Sequence, residues 1–271
     1  MTAPRAAGVV LALCLGLGLG GCRSVLPPTP IGPLDPTAER AQALLRGLAE
    51  AAAERRALRG TLRLSLDGPT GSLRSTQALV AQEPSQLRVE VQGFLSQTVA
   101  VLVTDGERFD LLRTTERVVQ RGRVYPGLLF EVARIDLTPE EAVEVLLGAP
   151  HVPEGLVPAS GRVLRDGGAQ LDLADPGGAV LRTLEWDASG LLRAIESRSA
   201  AGEVLWQAEF EDFRAVEGER FAHRVALHFP VSKTEVRLEF EEVELNPDLS
   251  REVFVLRFPG AVGSGRRGGG A

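Results

Sequence analysis

From residue 161 onward the chain is a succession of short alternating runs separated by tight-turn sequences, and this pattern limits the possible folds more than anything else in it. Alternating segments fall at about 162–166, 169–174, 179–187, 190–199, 203–214, 220–230 and 234–245. Between them stand Asp166-Gly167-Gly168, Asp175-Pro176-Gly177-Gly178, Asp187-Ala188-Ser189-Gly190 and Glu217-Gly218. Apolar residues recurring every second position give each run one dry and one wet face. Connections this short allow only antiparallel neighbours. The expectation is a long meander, and a sheet of ten or more strands must curl to protect its edges and dry face.

The first half repeats the pattern. Leu58 to Leu66 alternates, Asp67-Gly68-Pro69-Thr70-Gly71 reads as a turn, and Leu73 to Gln82 returns. Gln86-Leu87-Arg88-Val89-Glu90-Val91-Gln92 then alternates cleanly, and a second arm runs through Val99, Val101 and Val103. Gly93-Phe94-Leu95-Ser96 joins these arms, with two large apolar residues where polar turn-formers usually sit. Two further strands are expected over 107–113 and 117–121, and Tyr125 to Ile135 reads as a loop or short helix.

Two helices interrupt the strands. Asp35 as a cap with Pro36 at the first position opens one to about Leu58, its stripe formed by Ala41, Leu44, Leu45, Leu48 and Ala52. Thr138-Pro139-Glu140-Glu141 is a capping-box start for a second helix to Leu147, ended by Gly148. A last short strand is expected at 253–258 and a disordered glycine-rich tail at 260–271. The fold expected is mainly β with capping helices, a curled, unclosed half-barrel over 37–259. Helices laid across its mouth would enclose an apolar cavity.

Composition removes several function classes. The 271 residues are 44% hydrophobic, enough for one sizeable core, and the net charge of −6 leaves no basic stripe for nucleic acid. Lys233 is the only lysine against 29 arginines, which reads as a compositional bias. The histidines are His151, His223 and His228; on one strand the last two point to opposite faces and make a poor metal pair. No serine elbow, phosphate loop or zinc-protease motif occurs. Glu140-Glu141 suits a helix dipole and Glu241-Glu242 the wet side of a strand. No catalysis, cofactor or metal is expected.

The N-terminus has a signal pattern over 1–21: Arg5, an apolar run from Ala6 to Leu19, then small residues. Leu19-Gly20-Gly21-Cys22 resembles a bacterial lipoprotein signal, and the resemblance implies cleavage before Cys22 and its acylation. Three acyl chains would give a durable anchor. Cys14 would be removed, which leaves the mature domain without a disulfide. Arg23, where the sorting rule of that class reads Asp as inner-membrane retention, points to the outer membrane. Prolines at 27, 28, 30, 33 and 36 make residues 22–36 a semi-rigid tether.

The order of helix, hairpin, GFL-tipped hairpin, TPEEAVEVLLG helix, then VLRTLEWDASGLLRAIES and FAHRVALHFPVSKTEVRLEFEEVELN resembles the LolB outer-membrane lipoprotein receptors and their LolA carrier relatives over about residues 38–258. The resemblance implies an unclosed barrel whose hydrophobic cavity accepts lipoprotein acyl chains. It also implies a periplasm-facing monomer supplied by a LolA-like carrier. Leu95 matches the exposed loop leucine through which the receptors deliver cargo, although the family commonly reads Pro-Leu-Gly where this chain has Phe94-Leu95-Ser96. Candidates for the acyl cavity are Leu62, Leu64, Val89, Val91, Val99, Val101, Leu146, Trp186, Trp206, Phe210, Phe229 and Phe240. For the five aromatic residues a packed core and a lipid-lined wall are equally compatible with alternation. A lipoprotein receptor leads; an accessory lipoprotein that carries another lipid or scaffolds envelope assembly is the alternative.

Overall fold

The computed structural model describes residues 28–256 apart from 94, 96 and 117. The signal segment, Cys22, Phe94 and the tail beyond residue 256 lie outside the described residues.

Fourteen antiparallel strands form one unclosed sheet. In chain order they are β1 (Pro30–Pro33), β2 (Ala57–Gly68), β3 (Gly71–Gln82), β4 (Gln86–Gln92), β5 (Thr98–Thr104), β6 (Arg108–Arg113) and β7 (Val118–Arg123), followed by β8 (Val157–Leu164), β9 (Ala169–Ala174), β10 (Val180–Trp186), β11 (Leu192–Arg198), β12 (Val204–Val216), β13 (Glu219–Phe229) and β14 (Thr234–Leu245). The spatial order β1-β8-β9-β10-β11-β12-β13-β14-β2-β3-β4-β5-β6-β7 places the first long strand beside the last. That seam runs from Leu58 opposite Leu245 to Asp67 opposite Glu235, with a bulge between Phe240 and Glu242. Gly60 lies at the bulge, where a Cβ would come within 2.4 Å of the Glu242 carbonyl oxygen.

Helix α1 (Glu39–Glu54) buries Ala41, Leu48 and Ala52 and lies over the β8–β13 half of the sheet. Arg40 donates to the Gly167 carbonyl and, at 3.3 Å, to that of Gly168, while Arg55 reaches Glu219 at 2.7 Å. Helices α2 (Leu128–Ala133) and α3 (Pro139–Leu147) follow β7 and cross the other half before the chain enters β8.

Among the boundaries that differ from the sequence expectation, the start of α1 is moved by a local turn and three others by groups distant in the chain. Helix α1 begins at Glu39 rather than Pro36, since the Asp35 carboxylate accepts from the Thr37 amide at 2.8 Å and hydroxyl at 2.7 Å and holds a turn ahead of the helix. It ends at Glu54 rather than near Leu58 because Asn246 clamps the exit. Its amide donates to the Glu54 carbonyl at 2.8 Å and its oxygen accepts from the Arg56 and Ala57 amides at 2.9 and 3.2 Å. The proline segment is not all tether. Pro30–Pro33 pairs with β8 as an edge strand, where a missing N–H is tolerated because one side has no neighbour. The described part of the expected final strand opens with a 3₁₀ turn, Arg251–Phe254, which lays Phe254 and Leu256 over Val80, Val101, Val103 and Leu112 on the outer face of β3–β6.

Substituting Gly60→Ala places a methyl group against a backbone carbonyl and should destabilise by about 1–3 kcal/mol. Gly47→Ala in α1, where nothing lies within 4 Å, should stabilise by up to about 1 kcal/mol. Urea midpoints moving in opposite directions at constant m-value are the check; equal midpoints would mean the seam has slack.

Candidate functional site

The two halves of the curled sheet are filled differently. Beneath α1 the space is packed with side chains, whereas beneath α2 and α3 a cavity of about 200 Å³ remains. Its floor comes from the inner face of β2–β6 with Leu227 and Leu238 from β13 and β14. Its roof is Leu129, Val132 and Ala133 of α2, Ile135 and Leu137 of the connection, and Ala142, Val145 and Leu146 of α3.

Of the candidates, Leu62, Leu64, Val89, Val91 and Leu146 line this space. Val99 and Val101 do not. The bulge between Val91 and Gln92 sets Ala100 opposite Val91 and Leu102 opposite Val89, so the even-numbered residues of β5 face inward. Val101 points outward into the cluster beneath Phe254 and Leu256. Both faces of β5 are dry, so alternation in its sequence carries no sign of which side is in. Trp186, Trp206, Phe210, Phe229 and Phe240 are all buried in the main core and none lines the cavity. Ala100 and Leu102, and the roof residues of α2, escaped the sequence reading, the latter because Tyr125–Ile135 has no clear period.

Along the strands the floor changes character. The register aligns Leu79, Val89, Leu102 and Leu111 in one row across β3–β6, and Gln77, Val91, Ala100 and Arg113 in the next row toward the β4–β5 connection. Ser75 lies beyond on β3 and accepts from the Gln77 amide at 3.2 Å. About 7 Å from the apolar row, two residues of strand rise, Gln77, Arg113 and Ser75 thus stand among Leu62, Val91, Ala100 and Leu64 of the same floor.

Leu95 stands at that same end of the sheet. It is 83% exposed and holds a left-handed backbone, φ 63°, which costs a non-glycine residue on the order of 1 kcal/mol. Exposed Leu73, Val118, Val157, Leu205 and Val231 stand at the same end of their strands, because the register brings the 68–71, 175–179, 199–203 and 230–233 turns to that end. The described N-terminus emerges at the opposite end, where Arg165 donates to the Thr29 carbonyl.

The roof is tied down on one side by polar contacts. Thr138 and Glu141 form the full capping box of α3, with the Thr138 amide 2.9 Å from Glu141 Oε2 and the Glu141 amide 3.2 Å from Thr138 Oγ1. The second oxygen of Glu141 accepts from Trp206 Nε1 at 3.0 Å. Buried Arg182 donates to Glu144 at 3.3 Å and stacks over the Trp206 ring. Burial pushes the Glu144 carboxyl above its ordinary range, with Arg182 offsetting part of the rise. On its other side Ala142, Val145 and Leu146 of α3 face the cavity.

His223 is buried against Phe221 and His228 is exposed on the opposite face. Among the described residues no group of His, Cys, Asp and Glu could hold a metal, and no helix is long and apolar enough to cross a membrane.

No family model matches the sequence, and no curated protein does. Among solved structures the chain is similar to a LolA superfamily protein from Nitrosomonas europaea, at 14% identity and a TM-score of 0.53, covering 80% of this chain and 97% of that one. It is also similar to an outer membrane lipoprotein-sorting protein domain from Vibrio parahaemolyticus, at 12% identity and TM-score 0.51, covering 78% and 95%. The fold of this chain is thus LolA-like: an open antiparallel sheet curled beneath helices.

Glu144 gives the domain a pH signature. A carboxyl whose folded pKa lies above its unfolded value of about 4.5 binds its proton more tightly in the native state. Unfolding free energy therefore falls as pH rises from 4.5 through the folded value. Glu144→Gln should flatten that slope, leaving a residue from Glu209, which burial and then Glu211 and Glu185 raise in the same direction. Denaturant titrations at half-unit pH steps decide it; an unchanged slope would mean that Glu144 is no more buried than an ordinary surface carboxylate.

Proposed function

We propose that this protein is an envelope lipoprotein that takes acyl chains into the cavity beneath α2 and α3. Through the rim around Leu95 it passes lipidated proteins into the outer membrane. The observation that carries this reading is the combination of an apolar space, lined on floor and roof by leucine and valine, with an exposed leucine at the end toward which it opens. Affinity for a hydrocarbon tail would come from apolar area removed from water, at about 25 cal/mol per Å². No covalent chemistry is required.

The size of the space bears on mechanism. About 200 Å³ exceeds the roughly 150 Å³ void that admits a benzene-sized guest, yet falls below the roughly 300 Å³ at which pockets for larger ligands begin. A long acyl chain therefore needs the roof to lift. Helix α3 is pinned by Trp206 and Arg182 on its far side and turns Ala142, Val145 and Leu146 to the cavity, so it would swing about the pinned edge. Loading and release then follow from differential affinity: a LolA-like periplasmic carrier must hold the acyl chains less tightly than this cavity, and the bilayer more tightly.

Acylation of Cys22 would anchor the chain. The six residues from Cys22 to Pro28 span at most about 21 Å. An eleven-residue strand such as β13 is about 37 Å long. Because Pro28 and Leu95 lie at opposite ends of the strands, contact of both with one bilayer requires the strands to lie along its surface rather than upright.

Leu95→Asp should reduce transfer of an acylated protein from the carrier into vesicles by at least about tenfold, since a charged side chain is costly in hydrocarbon, while acyl binding and thermal unfolding stay as in the parent. Undiminished transfer by that variant would remove Leu95 from the delivery step.

A further inference from the structure

Among the described residues that line the cavity, Arg113 at the end of β6 is the one that carries a charge. We propose that Arg113 receives an anionic headgroup, so that, beside protein-linked acyl chains, which leave Arg113 unused, the site takes amphiphiles whose hydrocarbon chain ends in a carboxylate or phosphate, and holds them more tightly. The proposal rests on the cavity taking hydrocarbon and adds what it takes at the head.

Arg113 differs from every other arginine of comparable burial. Among the described residues the non-exposed arginines are Arg55, Arg88, Arg113, Arg182, Arg193 and Arg198. Arg55 pairs with Glu219, Arg88 with Glu90, Arg182 with Glu144, Arg193 with Asp166 and Glu185, and Arg198 with Glu196. No described carboxylate lies within ion-pair distance of Arg113. A half-buried guanidinium without a counter-ion is unfavourable for stability alone, because desolvation is not offset by a partner. It is suited to accept an anion from outside, with five donors in a fork that matches a carboxylate or phosphate.

Its position in the register gives the orientation. Arg113 closes the row Gln77, Val91, Ala100, Arg113, one step outward from the apolar row Leu79, Val89, Leu102, Leu111. Cross-strand from it is Ala100, whose short side chain leaves room above the sheet. A chain lying on the apolar row would put its head over Ala100, between the Arg113 guanidinium and the Gln77 amide. A purely apolar cargo leaves this row unmatched. Acyl chains linked through neutral esters and amides use the floor but not Arg113.

The test uses the chain exported with Cys22→Ser, so that it is released without its own lipid, and displacement of a fluorescent fatty acid by three probes. These are hexadecanoate, its methyl ester, and a monoacylglycerol phosphate with the same chain. Wild type should bind hexadecanoate roughly 10- to 100-fold more tightly than the ester, the range of a charge-assisted hydrogen bond to arginine. Arg113→Gln should bring acid and ester to within a factor of two while leaving the ester's affinity in place, and Arg113→Lys should restore part of the preference. Tighter binding of the phosphate would identify phospholipid as the source of the head, and tighter binding of the acid a free fatty acid. Equal binding of acid and ester by wild type, or a preference that survives Arg113→Gln, overturns the assignment while the cavity stands. Failure of all three probes to displace the reporter overturns the hydrocarbon site itself, and this proposal with it.

Discussion

The antiparallel seam between β14 and β2 is the interaction on which the rest of the structure depends. It joins residues 58–67 to residues 235–245, so the first long strand of the chain completes its pairing only after the last has formed. Without it there would be two smaller sheets, each with an exposed edge. With it, Leu62 and Leu64 lie beside Leu227 and Leu238, and the cavity floor spans both ends of the chain. The seam also brings backbones into close approach, at Gly60 and the Phe240–Glu242 bulge. A contact between residues so far apart in sequence makes the fold non-local, and loop closure must be met before the seam contributes.

The sheet is continuous, but its two halves solve the problem of a dry concave face by different means. Over β8–β13 a sixteen-residue helix and the large aromatic residues fill the space, and Trp186 and Phe229 are sealed completely. Over β2–β6 the covering helices are short, the floor side chains are mostly leucine and valine, and a space remains. A gap lined by apolar groups forfeits dispersion contacts and is unfavourable for stability. It lies in the half of the sheet that also carries the exposed leucine, which makes this half the candidate site.

The roof over that space belongs to both halves. Glu141 spends one carboxylate oxygen on the start of α3 and the other on Trp206 of β12, so a helix cap and a tertiary tie share one side chain. Arg182 adds a second tie to Glu144 and the Trp206 ring. Trp206, a wall candidate on polarity alone, is thereby the post to which the lid is fastened.

Much was legible in the chain before any coordinates. Alternation and Asp-Gly punctuation place β9 to β14 closely, because period and turn chemistry are local properties, whereas β8 begins at Val157, ahead of the expected 162–166. The α3 start at Thr138-Pro139-Glu140-Glu141 is a local signal too, and all its parts are present. Tertiary structure decided what depends on a partner far along the chain. Asn246 sets where α1 ends, β8 turns a proline segment into an edge strand, and Phe254 and Leu256 dry the outer face of β5, onto which Val101 points. Polarity told which residues avoid water, but a filled core and a vacant cavity have the same polarity. Only the packing of α1 against one half of the sheet and of α2 and α3 against the other separates Trp186 from Leu62, and leaves Arg113 facing the open space.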